Sequence, residues 1–404
     1  MDPTVFRLMA QCPPGLEPLL LAELRALGIR ASALQGGASW TGGWNDLVAA
    51  NLHLRVASRV LIELGTFGAR ALGELERKGA ALPWDRVPGT SPARFRVSSS
   101  RSRLYHEGAI EERLRSAGDL PAFEEGESDA PLLVVRVHRD KVTVRLDTSG
   151  EHLHRRGYRL HVGVAPLRET LAAALLLAGP MSAGGASAGP PPVVDPFCGS
   201  GTVAIEAALL ARRIAPGLSM ADRSPRHFAF RDWPDFPPEI WDEAVAGARA
   251  TILPELPAGS AIFGSDRDAG VIEAAAANAE RAGVLGDISL ARATLSKAPG
   301  PGELAGAGDA SGWLVTNPPY GGRLGDRRRL RALYSSLGRA FQPGGRFSPG
   351  WSLLYLSGDP VLDTATGLPL EERFATSHGG LRVRAVASEA EAEAEAPEAS
   401  SEAS

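Results

Sequence analysis

Three short stretches of this chain carry residue types at spacings that can do chemistry. The first is Asp-Pro-Phe-Cys-Gly-Ser-Gly-Thr at 195–202, where an apolar strand gives way to a helix. In an open α/β sheet the carboxyl ends of the strands form the ligand crevice, and glycines there let backbone approach a bound molecule closely. The stretch does not fit G-x-G-x-x-G, and no G-x-x-x-x-G-K-[ST] phosphate loop occurs, so nucleotide hydrolysis is not expected. Asp195 lies four residues ahead of the pair Gly199 and Gly201. That acid suits a ligand with a cationic amino group, as S-adenosylmethionine (SAM) has. Pro196, Cys198 and Thr202 complete the candidate cofactor loop. The alternative is a glycine turn needed only for strand–helix packing, and Asp195 weighs against it.

The second stretch is Ser-Asp-Arg-Asp at 265–268, ending the next strand. Asp266, with Arg267 beside it, is a candidate to accept bonds from ribose hydroxyls, the task of the acid ending the second strand in such folds. A helix N-cap is the competing role, and Asp268 is placed better for it. The third stretch, Thr-Asn-Pro-Pro-Tyr at 316–320, ends a further strand. Its prolines stiffen the backbone and remove amide donors. What remains is the Asn317 amide oxygen, the Pro318 carbonyl and the Tyr320 ring. Such a set suits an exocyclic amine lying beside an aromatic face. Two acceptors take its hydrogens and leave the nitrogen lone pair facing a methyl donor. An ordinary Asn-Pro turn with a solvent-facing tyrosine is the competing account, and the two earlier motifs weigh against it.

The elements that position these stretches follow from hydrophobic periodicity. Residues 1–65 read as a strand at Phe6–Cys12, a Pro-Pro-Gly turn, an amphipathic helix, then a turn, a second helix and a strand, a small β-α-β unit. Residues 66–165 read as another α+β stretch. It has a strand in ARFRVSSSRSRL, a helix at Ala109–Ser116, and a hairpin turning at Arg139-Asp140. Residues 166–387 alternate strands and helices, which implies a mostly parallel, doubly wound α/β sheet. Residues 388–404 hold six glutamates and no basic residue, a low-complexity tail expected to be disordered.

Composition bounds the function. With 404 residues, 44% hydrophobic and 22% charged, the chain is long enough for two or three domains with sizeable cores. Two cysteines exclude a disulfide scaffold and a Cys-rich zinc site. His152 and His154 lack an H-E-x-x-H pattern, so a surface role is expected and no metal. No apolar run is long enough for a bilayer and no secretory signal is visible, so a cytoplasmic location is expected. The net charge is −4, and becomes +2 without the six tail glutamates. A polyanion contact must therefore be a local patch.

The order DPFCGSGT, SDRD, NPPY resembles the class I SAM-dependent methyltransferases that act on exocyclic amines. Together with LHRRGYR, APLRETLAAALL, the FAFRDWPDF insert, TNPPYGGRLG and YLSGD, the text at about 4–386 is similar to bacterial large-subunit rRNA guanine-N2 methyltransferases. The resemblance implies a Rossmann-like methyltransferase domain at 166–387. Ahead of it would lie an RNA-binding module, ferredoxin-like at 1–65 and THUMP-like at 66–165. Two departures stand out. Where that family has an acid after the third strand, this chain reads ARATLSK, leaving Thr294 to offer a hydroxyl to the adenine amino group. After NPPYG, where Glu-Arg is frequent, it has Gly322-Arg323.

The candidates for RNA contact are Arg94, Arg96, Arg101, Arg103, Arg155 and Arg156 in the N-terminal module, with Arg323 and Arg327 after the NPPY strand. A solvated face is the competing reading for each. Three other functions share these motifs: a tRNA guanine-N2 methyltransferase, an adenine-N6 DNA methyltransferase, and a catalytically reduced RNA-binding or ribosome-assembly protein.

Overall fold

The structure, a computed structural model, describes residues 5–88, 92–123, 130–160, 167–182, 189–218, 225–300, 302–304, 311–320, 327–348 and 350–389. The chain forms two compact units. One gathers Met1–Arg159, Arg168–Ala174 and Arg213–Ile252, and the other Leu160–Leu167, Leu175–Arg212 and Leu253–Ser404.

The first unit is built on seven strands: β1 (Phe6–Gln11), β2 (Ser32–Leu34), β3 (Gly37–Gly42), β4 (Arg59–Gly68), β5 (Arg94–Ser100), β6 (Leu132–His138) and β7 (Lys141–Asp147). They lie in the order β2-β3-β1-β4-β7-β6-β5. Strand β4 pairs antiparallel with both β1 and β7, so residues on either side of position 65 share one continuous sheet. Helices α1 (Glu17–Ala26), α2 (Trp44–His53), α3 (Leu72–Gly79) and α4 (Glu107–Ala117) accompany it. The β6–β7 hairpin turns at Arg139 and Asp140, both with left-handed φ, as a two-residue turn between twisted strands requires.

Three elements within the first 165 residues were not expected. Gly37–Gly42 reads as a turn but forms β3. A Cβ on Gly37 would lie 2.2 Å from the Ala10 carbonyl oxygen, so the glycine marks a close backbone approach inside a sheet. The three-residue β2 is too short and exposed to leave a periodic signal. Helix α3 buries only Leu75 and Gly79, too little for an apolar stripe. The aromatic insert packs within this unit. Trp44 of α2 meets Trp233 and Phe236 edge-on, and Trp241 closes over Phe228 and Phe230.

The chain continues through α5 (Glu169–Leu177), β8 (Val193–Asp195), α6 (Thr202–Ala211), α7 (Pro238–Ala250), β9 (Ile262–Asp266), α8 (Ala269–Arg281), β10 (Ser289–Arg292), β11 (Gly312–Thr316), α9 (Arg327–Arg339), β12 (Trp351–Ser357), α10 (Pro360–Thr364), β13 (Glu371–His378) and β14 (Leu381–Ser388). The second unit's sheet runs β10-β9-β8-β11-β12-β14-β13. Its first five strands are parallel, while β14 is antiparallel to both β12 and β13. Strand order reverses between β8 and β11, the switch point at which open α/β sheets bind ligands.

The closing β13–β14 hairpin was not expected. Its strands, EERFATSH and LRVRAVAS, mix charges into the alternation and hide the apolar face. Strand β14 runs to Ser388, so the tail begins later than expected, and the tail from 390 onward lies outside the described residues. Among the described residues no helix is long and apolar enough to cross a membrane.

Candidate active site

The carboxyl ends of β8, β9 and β11 bring all three motifs to one end of the second sheet. Asp195 closes β8 and is 2% exposed. Its Oδ1 accepts the Thr316 hydroxyl at 2.6 Å and the Phe197 amide at 3.1 Å, which fixes the carboxylate. Burial pushes its pKa up to about 7, and the neighbouring Asp266 charge, of the same sign, adds to the rise. The hydrogen bonds act against that rise without cancelling it. A buried acid whose neighbouring charge is another acid is primed for a cationic ligand.

The loop after Asp195 is shaped by glycines. Gly201 has φ 84° at the N-cap of α6, and a Cβ there would press on Ala275 at 3.0 Å. Gly199 has φ 51°, and a Cβ on it would meet nothing within 4 Å among the described residues. That open backbone is the side a ligand can approach. Pro196 and Thr202 are buried, and Cys198 packs against Gly264 while its amide bonds to the Ser265 carbonyl at 2.9 Å. Burial raises the Cys198 thiol above its ordinary value, so it stays protonated. From α8, the buried Asn278 donates to the Ser200 carbonyl at 3.0 Å and holds the loop from behind. Asn278 was not foreseen. Its signal is a single polar residue inside the run AAAANA.

Asp266 ends β9, with Gly199 and Asp268 amides donating to its two oxygens at 3.3 and 3.1 Å. Asp268 caps α8, accepting from the Gly270 amide at 2.8 Å, the role its spacing predicts, so Asp266 is not the cap of that helix. Arg267 is exposed. Thr294, just past β10, is also exposed, with its hydroxyl 3.1 Å from that of Ser296.

At the end of β11, Thr316 is buried, and its bond to Asp195 ties the third motif to the first. Pro318 is buried as well. The Asn317 Oδ1 is buried and accepts no hydrogen bond among the described residues. An unpaired buried acceptor is costly, and this one follows β11 at the sheet end that also carries the other two motifs. Tyr320 is half-buried, and burial pushes its phenol up to about 12, so it stays neutral.

The basic residues divide. On one face of the first sheet, cross-strand register aligns Arg96 with Arg145 and Glu63, and Ser98 with Arg136, Thr143 and Thr66. Arg96, Arg136 and Lys141 are exposed there, as are Arg101 and Arg103 beyond the end of β5. Arg94 is half-buried and donates to the Ala130 carbonyl at 3.2 Å. Arg155 is exposed and pairs with Glu151 at 3.1 Å. Arg156 corrects its expected role in RNA contact. It is 5% exposed, and its guanidinium donates to the Arg55 carbonyl at 2.7 Å. Arg327 extends into solvent, and Arg323 lies outside the described residues. His152 and His154 are half-buried and stacked at 5.3 Å, and burial pushes them down to about 4 and about 3.

The sheet order, the open glycine loop, the buried Asp195 and the unpaired Asn317 define a class I methyltransferase whose cofactor is SAM. The family model described as the RMKL-like methyltransferase domain matches residues 156–382, and that of the RlmL ferredoxin-like domain matches 7–61. The chain belongs to this RMKL-like methyltransferase family. It is 36% identical to "Ribosomal RNA large subunit methyltransferase K/L" of Syntrophotalea carbinolica, over 94% of this chain and 53% of that one. It is 32% identical to "Putative RNA methyltransferase YpsC" of Bacillus subtilis, over 90% of each. The chain thus spans about half the length of the K/L relatives. Among solved structures, SMU.472, a putative methyltransferase complexed with SAH, is 28% identical with a TM-score of 0.80, over 96% of this chain and 99% of that one. A predicted N6-adenine-specific DNA methylase from Listeria monocytogenes is 32% identical with a TM-score of 0.76, over 94% and 96%.

Proposed function

We propose that this chain methylates the N2 amine of a guanine in large-subunit rRNA, in the cytoplasm. The observation that carries the reading is the buried, unpartnered Asn317 Oδ1 beside the Pro318 carbonyl. When bound, SAM supplies an electrophilic methyl group. Asp195 would hold its amino group, Asp266 its ribose, and the Gly199–Gly201 backbone its approach, with Thr294 near the adenine. Asn317 and Pro318 accept the hydrogens of the target amine and favour the positive charge that develops on nitrogen. Tyr320 stacks on the target base, which has to leave its own stack to reach the site. The work of the protein is orientation and exclusion of water, without a strong base.

The amine-binding set alone fits guanine N2 and adenine N6 equally. The rRNA substrate is supported by the names of the K/L relatives and by the ferredoxin-like match. The cationic, hydroxyl-bearing sheet face of the first unit suits phosphates and riboses, contacts that position RNA without reading sequence. Arg96→Glu with Arg136→Glu is expected to raise the KM for RNA about 10-fold. It should also lower the slope of log affinity against log salt by about 2, one per lost phosphate contact. SAM affinity, read by calorimetry, should not move. An unchanged salt slope would move the RNA surface elsewhere, Arg101, Arg103 and Arg327 being next in line. The reaction itself is tested by methyl transfer from labelled SAM to undermodified large-subunit rRNA, followed by nucleoside analysis.

A further inference from the structure

The motif explains how the Tyr320 backbone is fixed, and leaves open what fixes its ring. Two contacts in the second unit do so. The Tyr320 hydroxyl lies 3.0 Å from His378 Nδ1. His378 is the last residue of β13, and it pairs with Leu381 across the Gly379-Gly380 turn, both glycines having left-handed φ. The hairpin therefore sets where the imidazole stands. On the other side the ring rests against Gly358, which follows β12. A Cβ at Gly358 would lie 2.4 to 3.0 Å from Cδ2, Cε2 and Cγ of Tyr320. Nothing larger than glycine fits under the ring as it stands. Pro318 and Pro319 restrict the backbone ahead of the tyrosine, the Gly358 backbone limits how far the ring tips, and His378 holds its end.

We propose that His378 and Gly358 are positioning residues for methyl transfer, clamping the Tyr320 ring in the plane against which the target base lies. The proposal rests on the reading of Tyr320 as the stacking surface. A ring released at its hydroxyl still offers area to a base, so binding survives better than turnover, which is sensitive to small errors of placement. His378→Leu should lower kcat about 10-fold, raise the KM for RNA less than about 3-fold and leave SAM affinity unchanged. Tyr320→Phe should do the same. The double variant should be no slower than either single one, because both remove the same bond. His378→Asn, whose amide can take the place of Nδ1, should recover most of the rate, which a general loss of packing would not allow. Gly358→Ala, which pushes on the ring, should also lower kcat.

The test is steady-state methyl transfer to undermodified large-subunit rRNA by these five variants, with ¹⁹F spectra of full-length protein labelled with 3-fluorotyrosine. The chain has five tyrosines, so the Tyr320 resonance is assigned by its loss in Tyr320→Phe. It should move in His378→Leu and return towards its original position in His378→Asn. Multiplying effects of the two single variants, an unaltered kcat in His378→Leu, or a resonance indifferent to His378 would overturn the clamp. A wild-type protein that transfers nothing to this RNA overturns the substrate reading instead, and the fluorine spectra then decide the clamp by themselves.

Discussion

Asn317→Ala is expected to cut kcat by about 10²- to 10³-fold, the loss seen when one preorganised electrostatic partner of a developing charge is removed. Its Oδ1 is buried and unpaired among the described residues, so the acceptor is held ready before the amine arrives. The bond it makes matters most as the nitrogen becomes cationic, which places the loss in turnover. SAM affinity should stay within about 2-fold, since the Asp195 and Asp266 contacts are untouched. Single-turnover rates at saturating SAM and RNA check this. A near wild-type rate would remove the amine-orienting role and the guanine-N2 reading that leans on it.

Asp195→Asn should fail at the other end of the site. Removing one member of a buried charge pair costs roughly 2–5 kcal/mol, so SAM affinity should fall by about 30- to 5,000-fold. In the wild type the affinity should also depend on pH. The carboxyl is pushed up to about 7, so it is largely protonated below that value and cannot pair with the SAM amino group. The dissociation constant should rise about tenfold per unit as pH falls below 7, and this limb should vanish in Asp195→Asn.

Stability without cofactor should run the opposite way. A carboxyl raised from its ordinary value of 3.8 contributes stability that is complete below that value and lost as pH rises towards 7. Asp195→Asn keeps the neutral form throughout. It should therefore melt higher than wild type at pH 8, with the gap narrowing steadily as pH falls to 5 and closing only near pH 4. Calorimetry across pH 5–8, with and without SAM, reads both effects. A pH-independent SAM affinity in the wild type would mean that Asp195 is not the partner of the amino group.

Much of this site is legible in the sequence because its residues come as contiguous strings at strand ends. Asp195, Gly199 and Gly201 sit in one turn, and Asn317, Pro318 and Tyr320 in another, so local spacing already implies their shared location in a parallel sheet. The N-cap role of Asp268 also follows from spacing, because an N-cap lies at a fixed offset from its helix. What could not be read joins positions far apart in the chain. The Thr316 to Asp195 bond spans 121 residues and the Tyr320 to His378 bond 58. Asn278 reaches back 78 residues to Ser200. Charge alone misled at Arg156, because an arginine in a basic string reads the same whether its guanidinium meets solvent or a buried carbonyl. The shared sheet of the first unit was hidden for a related reason. Strand β4 pairs on both edges, and nothing local to a strand tells which neighbours it takes.

The amine proposed to be held by Asn317 and Pro318 is guanine N2 in large-subunit rRNA. Nucleoside mass spectrometry of 23S rRNA from a strain lacking the gene, against its parent, tests it most directly. N2-methylguanosine should fall by a whole-number equivalent per 23S molecule, and the gene should restore it while its Asn317→Ala form should not. An unchanged N2-methylguanosine content in 23S rRNA, with a loss instead in tRNA or in N6-methyladenine of DNA, would contradict it.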